Sequence, residues 1–597
     1  MPVYAAPVKD ASFVLFDMIN IEKYANLPGF ADASPDLVRS VLDEAAKFVE
    51  GVLQPLNRTG DIVGCVRNAD ATVTTPPGFK DAYDKFCEGG WGTLSADPEY
   101  GGQGLPHMLA SVFEEFAISA NMSFSLYPFL TQGAVAAMMA VGSDEQKRKY
   151  IPNMVSGRWT GTMNLTEPHC GTDLGLLRTR AEPQEDGTYK ITGTKIFISA
   201  GEHDLAENII HLVLAKRAGA PDNVKGISLF IVPKVLVNED GSLGARNAVS
   251  CGSIEHKMGL HGNATCVMNY DGATGYLIGE AEKGLNAMFI MMNAARLGVG
   301  LQGLGVSEVA YQNAVAYAKD RVQGKAIDRS TPADVRADPI IVHPDVRRML
   351  MDMRCFNEGA RALTLWGALQ VDLAHRAATE EERQKADDLI SLLTPVIKGV
   401  LTDKGYENAT WAQQCLGGHG YVEEWGMSQF VRDARIAQIY EGTNGVQAMD
   451  LVGRKLPKDG GKLIRGYFET LQGFLAEAKA DARLKDFVGP LEKGLGDLQG
   501  ATMWLMQNAF ANPNNAGAAA YAYMNLLGLV SLGHMWTWMA QSAYAKLDQG
   551  AEDKAFYETK LLTGRYYMNR HMPDTHGWRA KVEAGAELMM AMPADAF

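Results

Sequence analysis

The sequence predicts a multidomain α+β chain, helical at both ends with a β-domain between, and three features of its patterning carry that prediction. Residues 34–160 repeat apolar side chains at helical spacing. After Thr160 the texture changes to short alternating runs rich in β-branched residues, ending near Gly279. From Gly284 the helical period returns and hardly stops until about Arg454, and a second helical block follows. The expected domains are an N-terminal extension (1–33), an N-terminal α-helical domain (34–160), a middle β-domain (161–282), a C-terminal helical bundle (283–454) and an additional C-terminal helical domain (463–597).

Each element has a local reason. Ser34 and Pro35 form a cap and first-turn pair, and the apolar repeat runs on from them to Val52. Ser143 and Gln146 have the spacing of a capping box. Between them, 99–106 (Glu-Tyr-Gly-Gly-Gln-Gly-Leu-Pro) is a turn-rich connection. Strands are expected at 188–199, 209–214, 226–233 and 265–270, with Asp186-Gly187 and Asp240-Gly241 turns, which indicates a small antiparallel sheet or barrel. The runs 297–322 and 344–377 predict helices beyond the usual length, as in a bundle. The Gly-rich, charged stretch 455–462 reads as a linker.

Composition excludes several classes. The 597 residues are 47% hydrophobic and 21% charged, ample for buried cores and too many for one ordinary domain. A formal net charge of −14, with no stripe of Lys and Arg, disfavours nucleic acid as a partner. The seven cysteines are scattered and include no C-x-x-C pair, so no metal site and no disulfide framework is expected, and reduced thiols in a cytoplasmic protein fit. The N-terminus lacks the pattern of a signal peptide. The apolar stretches 133–142 and 526–540 are short for a bilayer, so no membrane span is expected.

The chemistry-bearing candidates lie late in the chain. Gly417-Gly418-His419-Gly420-Tyr421 puts two glycines before a helix, where backbone can approach a phosphate or a flavin edge closely. Arg432 to Gln447 contains Ile-Tyr-Glu-Gly-Thr-Asn-Gly. Taken alone, Glu441 in that run suits either a reactive carboxylate or a cap of the following helix. Phe197 equally suits an ordinary core strand, and Arg321 a solvated helix end.

In combination these segments resemble the acyl-CoA dehydrogenase family, whose bundle carries R-D-(A)-x-I-x-x-I-Y-E-G-T. Leu165-Thr-Glu-Pro-His-Cys-Gly-Thr-Asp resembles the family's T-E-P-x-x-G-S/T-D, and Lys195-Ile-Phe-Ile-Ser-Ala-Gly its K-x-W/F-I-T/S-x-G strand. The three follow one another in the family's order over roughly residues 60–455. Tyr4-Ala-Ala-Pro-Val, Met258 to Met268, Arg321-Val-Gln-Gly, His343 to Arg348 and the helical tail resemble a longer bacterial subgroup. That subgroup includes 3-methylmercaptopropionyl-CoA dehydrogenases alongside enzymes of ordinary fatty acyl-CoAs. The resemblance implies an N-terminal α-helical domain, a middle β-barrel, a C-terminal four-helix bundle and an extra helical domain.

It also implies an FAD cofactor, an acyl-CoA substrate and a role for each matched residue. Glu441 is the general base. Met163, Leu165, Thr166, Thr172, Phe197 and Ser199 match flavin-side positions, with Thr172 also near the CoA chain. Arg321, Gln414, Gly417 and Gly418 match contacts to the pyrophosphate and adenosine of a neighbouring subunit's FAD, so a homodimer is implied. Thr443, Asn444 and Gly445 match further FAD contacts, while Asn293, Arg296 and Gly442 match substrate positions. Some members place their catalytic Glu where this chain has Ala295, which cannot serve as a base.

The implied reaction is α,β-dehydrogenation to the trans-2-enoyl-CoA, with the α-proton going to Glu441 and the β-hydride to flavin N5. Electrons then pass to an electron-transfer flavoprotein; an acyl-CoA oxidase would use oxygen instead. The acyl group implied by the subgroup is 3-methylthiopropanoyl, with medium or long straight chains as the alternative. Two other branches of the fold compete: stress-response flavoproteins without turnover, which carry DNA-binding tails, and flavin monooxygenases or nitro-alkane oxidases. The acidic charge counts against the first, and the intact Glu441 against the second.

Overall fold

The computed structural model describes residues 2–330 and 334–597. They divide into two units, Lys47–Gly298 and Met1–Ala46 together with Val299–Phe597.

In the unit Lys47–Gly298, helices precede a β-domain. The helix α1, His107–Val141, is 35 residues long and breaks locally at Asn121 (φ −160°, ψ 88°). The Asn121 side chain compensates by accepting from Phe124 N at 3.0 Å, which recaps the second half. The next helix, α2 (Asp144–Val155), starts with the expected capping box: Ser143 Oγ accepts from Gln146 N, and Gln146 Oε1 from Ser143 N.

Seven strands of one sheet follow: β1 (Trp159–Asn164), β2 (Arg180–Pro183), β3 (Tyr189–Ser199), β4 (Asn208–Arg217), β5 (Ile227–Pro233), β6 (Val249–Ile254) and β7 (Thr265–Ile278). β7 pairs with both β3 and β5, β5 pairs with β4, and β4 reaches β3 through β2, so five strands close into a ring. β6 adds to β7, and β1 lies along the free half of β4. Inside are Ile191, Ile198, Val213, Phe230, Cys266 and Tyr270, all buried. The expected barrel is present, but it is not purely antiparallel. β1–β4 and β2–β4 are parallel. Such pairs join strands distant in sequence, and no tight turn marks them.

In the unit Met1–Ala46 with Val299–Phe597, long helices dominate. The helix Pro35–Phe48 starts where expected, with Leu37 N donating to Ser34 Oγ at 3.3 Å. The long helices are α3 (Gly284–Asp320, which enters this unit at Val299), α4 (Pro344–Arg376) and α5 (Glu380–Cys415). Two shorter helices, α6 (Met427–Ala437) and α7 (Asn444–Asp450), pack on α5 and complete the bundle. The added domain comprises α8 (Lys462–Ala478), α9 (Lys485–Asn508), α10 (Pro513–Asp548), α11 (Lys554–Arg570) and α12 (Asp574–Glu583). α10 lies against α4 and α5, where a Cβ on Gly399 would fall 2.4 Å from Met524 Sδ. The expected linker is a chain turn at Gly460 and Gly461, and it is pinned by Lys455 to Ser391 and Lys462 to Asp388.

The N-terminal extension is fastened to this unit by buried charge. Asp10 receives Arg361 of α4 at 2.5 Å and Lys560 of α11. Arg361 also reaches Glu308 at 3.1 Å, and Lys560 reaches Glu358 at 2.5 Å. Burial alone would raise the Asp10 carboxyl, but Lys560 and Arg361 together hold it below the usual carboxylate range.

α1 and α10 are each longer than the apolar runs within them, and both are long and apolar enough to cross a membrane by length and composition. Their most apolar windows are 56% and 78% buried inside the protein, as in core helices.

Candidate active site

Two groups of the sequence-predicted residues take shape, one in each unit. In the unit Lys47–Gly298, the Leu165 loop and the Lys195 strand are one device. The Glu167 carboxylate, 3% exposed at its side chain, accepts from Lys195 Nζ at 2.8 Å, Thr179 Oγ1 at 2.6 Å, Thr179 N at 3.1 Å and Arg178 N at 2.7 Å. Lys195 Nζ also donates to Leu165 O at 2.9 Å. Burial pushes the Glu167 carboxyl up, but the Lys195 charge and these hydrogen bonds more than offset it and hold it down. Burial lowers the Lys195 ammonium despite Glu167.

That anchoring shapes β3. The β3–β7 register slips between Cys266 and Met268, where β3 carries one extra residue, a bulge at Ile196 and Phe197. Ile196 N therefore bonds Thr166 O at 2.9 Å instead of β7. Phe197 takes φ +59° and is 60% exposed. A bulky residue in the left-handed region costs about 1–2 kcal/mol, and such strain clusters at functional sites. Met163, Thr166 and Ser199 are part-buried, Leu165 is 9% exposed and Thr172 is exposed. An exposed apolar residue on this bulge, with Ser199 two residues on and Thr166 bonded to the bulge through its carbonyl, fits a flat heterocycle with polar edges. Glu167, His169 and Cys170 lie near one another, but Glu167 is committed to Lys195, and His169 Nε2 bonds Leu176 O at 2.9 Å.

On the part of α3 within this unit, Arg296 Nη1 donates to Asn293 Oδ1 at 3.3 Å, and Ala295 is buried between them. Near Gly298 lies Glu114 of α1, whose carboxyl burial pushes up to about 7. A Cβ on Gly298 would lie 2.7 Å from Glu114 Oε1.

In the other unit, Glu441 sits on a turn between α6 and α7 with φ +58°, followed by Gly442 at φ +86°. Gln447 is fully buried beneath it, and its Nε2 donates to Glu441 O at 3.2 Å and Gly442 O at 3.3 Å. A Cβ on Gly442 would fall 2.5 Å from that nitrogen, so glycine is required twice, for conformation and for space. Tyr440 donates to Gln302 of α3. The cap of α7 is Thr443, whose Oγ1 accepts from Val446 N at 3.3 Å. Glu441 is thus not the helix cap, and the residue that braces it, Gln447, carried no sequence signal beyond its place in the motif.

Asn444 points inward: its side chain meets Lys398 at 2.8 Å, Gly399 O at 3.1 Å, Thr402 at 3.0 Å and Asp403 at 2.7 Å. The Asn444 side chain is therefore engaged under the turn, while the other two positions expected to contact FAD, Thr443 and Gly445, are exposed. Gln414, Gly417 and Gly418 are exposed at the end of α5, and a Cβ on either glycine would meet nothing within 4 Å. Tyr317, one turn before Arg321, hydrogen-bonds His419 at 2.8 Å, which puts Arg321 and this glycine turn on neighbouring elements. Arg321 is exposed and, among the described residues, donates to neutral oxygens, Val322 O at 3.0 Å and Gln323 Oε1 at 3.3 Å. A cation paired with no carboxylate among the described residues, near open glycine backbone, fits a phosphate.

Comparison with known proteins decides the family. The chain is 41% identical, over 98% of its length and 99% of the relative's, to a 3-methylmercaptopropionyl-CoA dehydrogenase of Ruegeria pomeroyi. This chain belongs to the acyl-CoA dehydrogenase family. Family models for the acyl-CoA dehydrogenase N-terminal, middle and C-terminal domains match residues 37–158, 162–273 and 282–456, and an acetyl-CoA dehydrogenase C-terminal-like model matches 467–593. A broad-specificity linear acyl-CoA dehydrogenase of Mycobacterium tuberculosis is 33% identical over 100% of both chains. An acyl-CoA dehydrogenase complexed with FAD from Bacillus anthracis shares the fold at TM-score 0.71 and 19% identity, over 95% of this chain and 90% of that one. The acyl-CoA dehydrogenase fold and its added helical domain thus extend through the whole chain.

Proposed function

We propose that this acyl-CoA dehydrogenase converts an acyl-CoA to its trans-2-enoyl-CoA, with Glu441 removing the α-proton. The observation that carries the proposal is the Glu441 turn: a carboxylate-bearing residue held in a left-handed conformation, braced from below, and uninvolved in capping. The α C–H of a thioester is weakly acidic, so the base needs help from donors to the thioester oxygen. The Glu441 backbone N–H is assigned that role; one such donor lowers the barrier by about 3 kcal/mol.

FAD, when bound, supplies the acceptor for the β-hydride. The Phe197 ring, with the hydroxyls of Thr166, Thr172 and Ser199, suits the flavin; Arg321 with Gly417 and Gly418 suits a pyrophosphate. Because the family resemblance assigns the latter to a neighbouring subunit's cofactor, the active form is a homodimer. Electron-transfer flavoprotein is the acceptor. Seven free cysteines support a cytoplasmic location.

The acyl group is 3-methylthiopropanoyl, a reading supported by the Ruegeria pomeroyi relative. Straight acyl chains form the second reading, favoured by the Mycobacterium tuberculosis relative at full coverage. A panel of kcat/KM values over acyl-CoAs of graded length, including the methylthio compound, separates them. Highest kcat/KM for a long straight chain overturns the first. Purified protein that bleaches its flavin anaerobically with acyl-CoA supports turnover; flavin that stays oxidised with every acyl-CoA returns the reading to a flavoprotein without turnover.

A further inference from the structure

The added C-terminal domain reaches the turn that carries Glu441. Tyr521 stands on α10, and its hydroxyl donates to Asp403 Oδ2 of α5 at 2.7 Å. The other oxygen of that carboxylate accepts from Gln438 Nε2 and from Asn444 Nδ2, each at 2.7 Å. Gln438 and Asn444 are the two ends of the turn, and they are joined by Asn444 N donating to Gln438 O at 3.1 Å. Arg435 Nη1 donates to Gln438 Oε1 at 3.0 Å and fixes which way the amide faces. One carboxylate therefore clamps both feet of the Glu441 turn, and a hydroxyl from the appended domain holds that carboxylate. Burial, then the Asp403 hydrogen bond, pushes the Tyr521 hydroxyl up to about 12, so it remains a donor at working pH.

We propose that Asp403 and Tyr521 are positioning residues for the base, and that the C-terminal helical domain sets the conformation of the Glu441 turn through their hydrogen bond. This rests on the role proposed above for Glu441. The network gives the domain a task in the reaction beyond covering α4 and α5. A clamp with only one foot on the turn would leave it free to pivot. Here both feet share one acceptor, so losing the charge on Asp403 releases them together.

The test uses the FAD-loaded enzyme with four substitutions. Tyr521→Phe deletes one hydroxyl from a residue 45% exposed, and Asp403→Asn keeps the shape but turns part of the acceptor into a donor. Tyr566→Phe is the control: it breaks a similar bond, Tyr566 OH to Asp352 at 2.8 Å, between α11 and α4 and away from the turn. Glu441→Gln tests the underlying base. For Tyr521→Phe, kcat is expected to fall about tenfold, as for loss of one hydrogen bond to a charged group. Asp403→Asn should fall further. In both, KM for acyl-CoA should hold and the isotope effect from α-deuterated substrate should rise. Tyr566→Phe should lower thermal stability alone. If Tyr521→Phe and Tyr566→Phe both keep full kcat and an unchanged isotope effect while Glu441→Gln is inactive, the positioning role is overturned and the base stands. If Glu441→Gln is fully active, the base assignment itself is overturned.

Discussion

Replacing Lys195 with Met tests whether the two β-domain signatures form one device. The change removes the ammonium 2.8 Å from Glu167 and the bond to Leu165 O, while keeping an unbranched apolar stem in the core of β3. Glu167 keeps three donors, Thr179 Oγ1, Thr179 N and Arg178 N, so its carboxylate loses the Lys195 charge and one hydrogen bond but remains hydrogen-bonded. Breaking one side of a buried pair costs about 3–5 kcal/mol, and the surviving donors put this site at the low end, about 3 kcal/mol. For a unit of this size each kcal/mol shifts Tm by about 2–4 °C, which predicts a fall of about 6–12 °C. Differential scanning calorimetry of FAD-loaded protein measures it, and titration of the apoprotein with FAD should show weaker binding as the Thr166 loop loosens. Without its neighbour the Glu167 carboxyl should titrate higher, so the deficit should narrow as pH falls and the group protonates. An unchanged Tm with unchanged FAD affinity would show that the two segments do not act as one device.

Gly442→Ala should lower kcat by roughly tenfold or more, since an Ala at φ +86° costs about 1–2 kcal/mol and its Cβ would displace the Gln447 amide; steady-state kinetics with an artificial acceptor checks this. Glu114, raised to about 7 by burial, keeps its proton in the folded chain where the unfolded chain has lost it. Stability should therefore fall as pH rises from the ordinary carboxyl range through about 7, by up to about 3 kcal/mol, and Glu114→Gln should flatten that slope in urea titrations. Asp10 has the opposite sign: held low by Lys560 and Arg361, it contributes stability above the ordinary carboxyl range that is lost as pH falls through its folded value. Hydrogen exchange of the N-terminal segment should accelerate on acidification, and Asp10→Asn should reproduce that acceleration at neutral pH.

What was legible in the sequence is what local pattern encodes. Ser143 and Gln146 announce a capping box because both partners lie within one turn. Residues 188–199 announce a strand because alternation needs only its own side chains, and β3 indeed covers Tyr189–Ser199. The bulge that turns Phe197 outward was not legible, since it depends on register with β7 and on the Thr166 carbonyl. Nor were the parallel neighbours of β4, which are set by ring closure rather than by any hairpin. Glu441 was ambiguous between base and cap because residue type cannot distinguish them; Thr443 settles the capping by geometry alone. Gln447, Asp403 and Tyr521 support the turn from five or more residues away to another domain, and nothing in their own neighbourhoods marks that function.

The most direct test of the account is anaerobic stopped-flow reduction of the FAD-loaded Glu441→Gln protein with its preferred acyl-CoA. Gln keeps the size of the side chain and removes the proton acceptor. The expected result is that substrate still binds while flavin bleaching slows roughly a hundredfold or more. Bleaching at the wild-type rate would contradict it and place the base elsewhere.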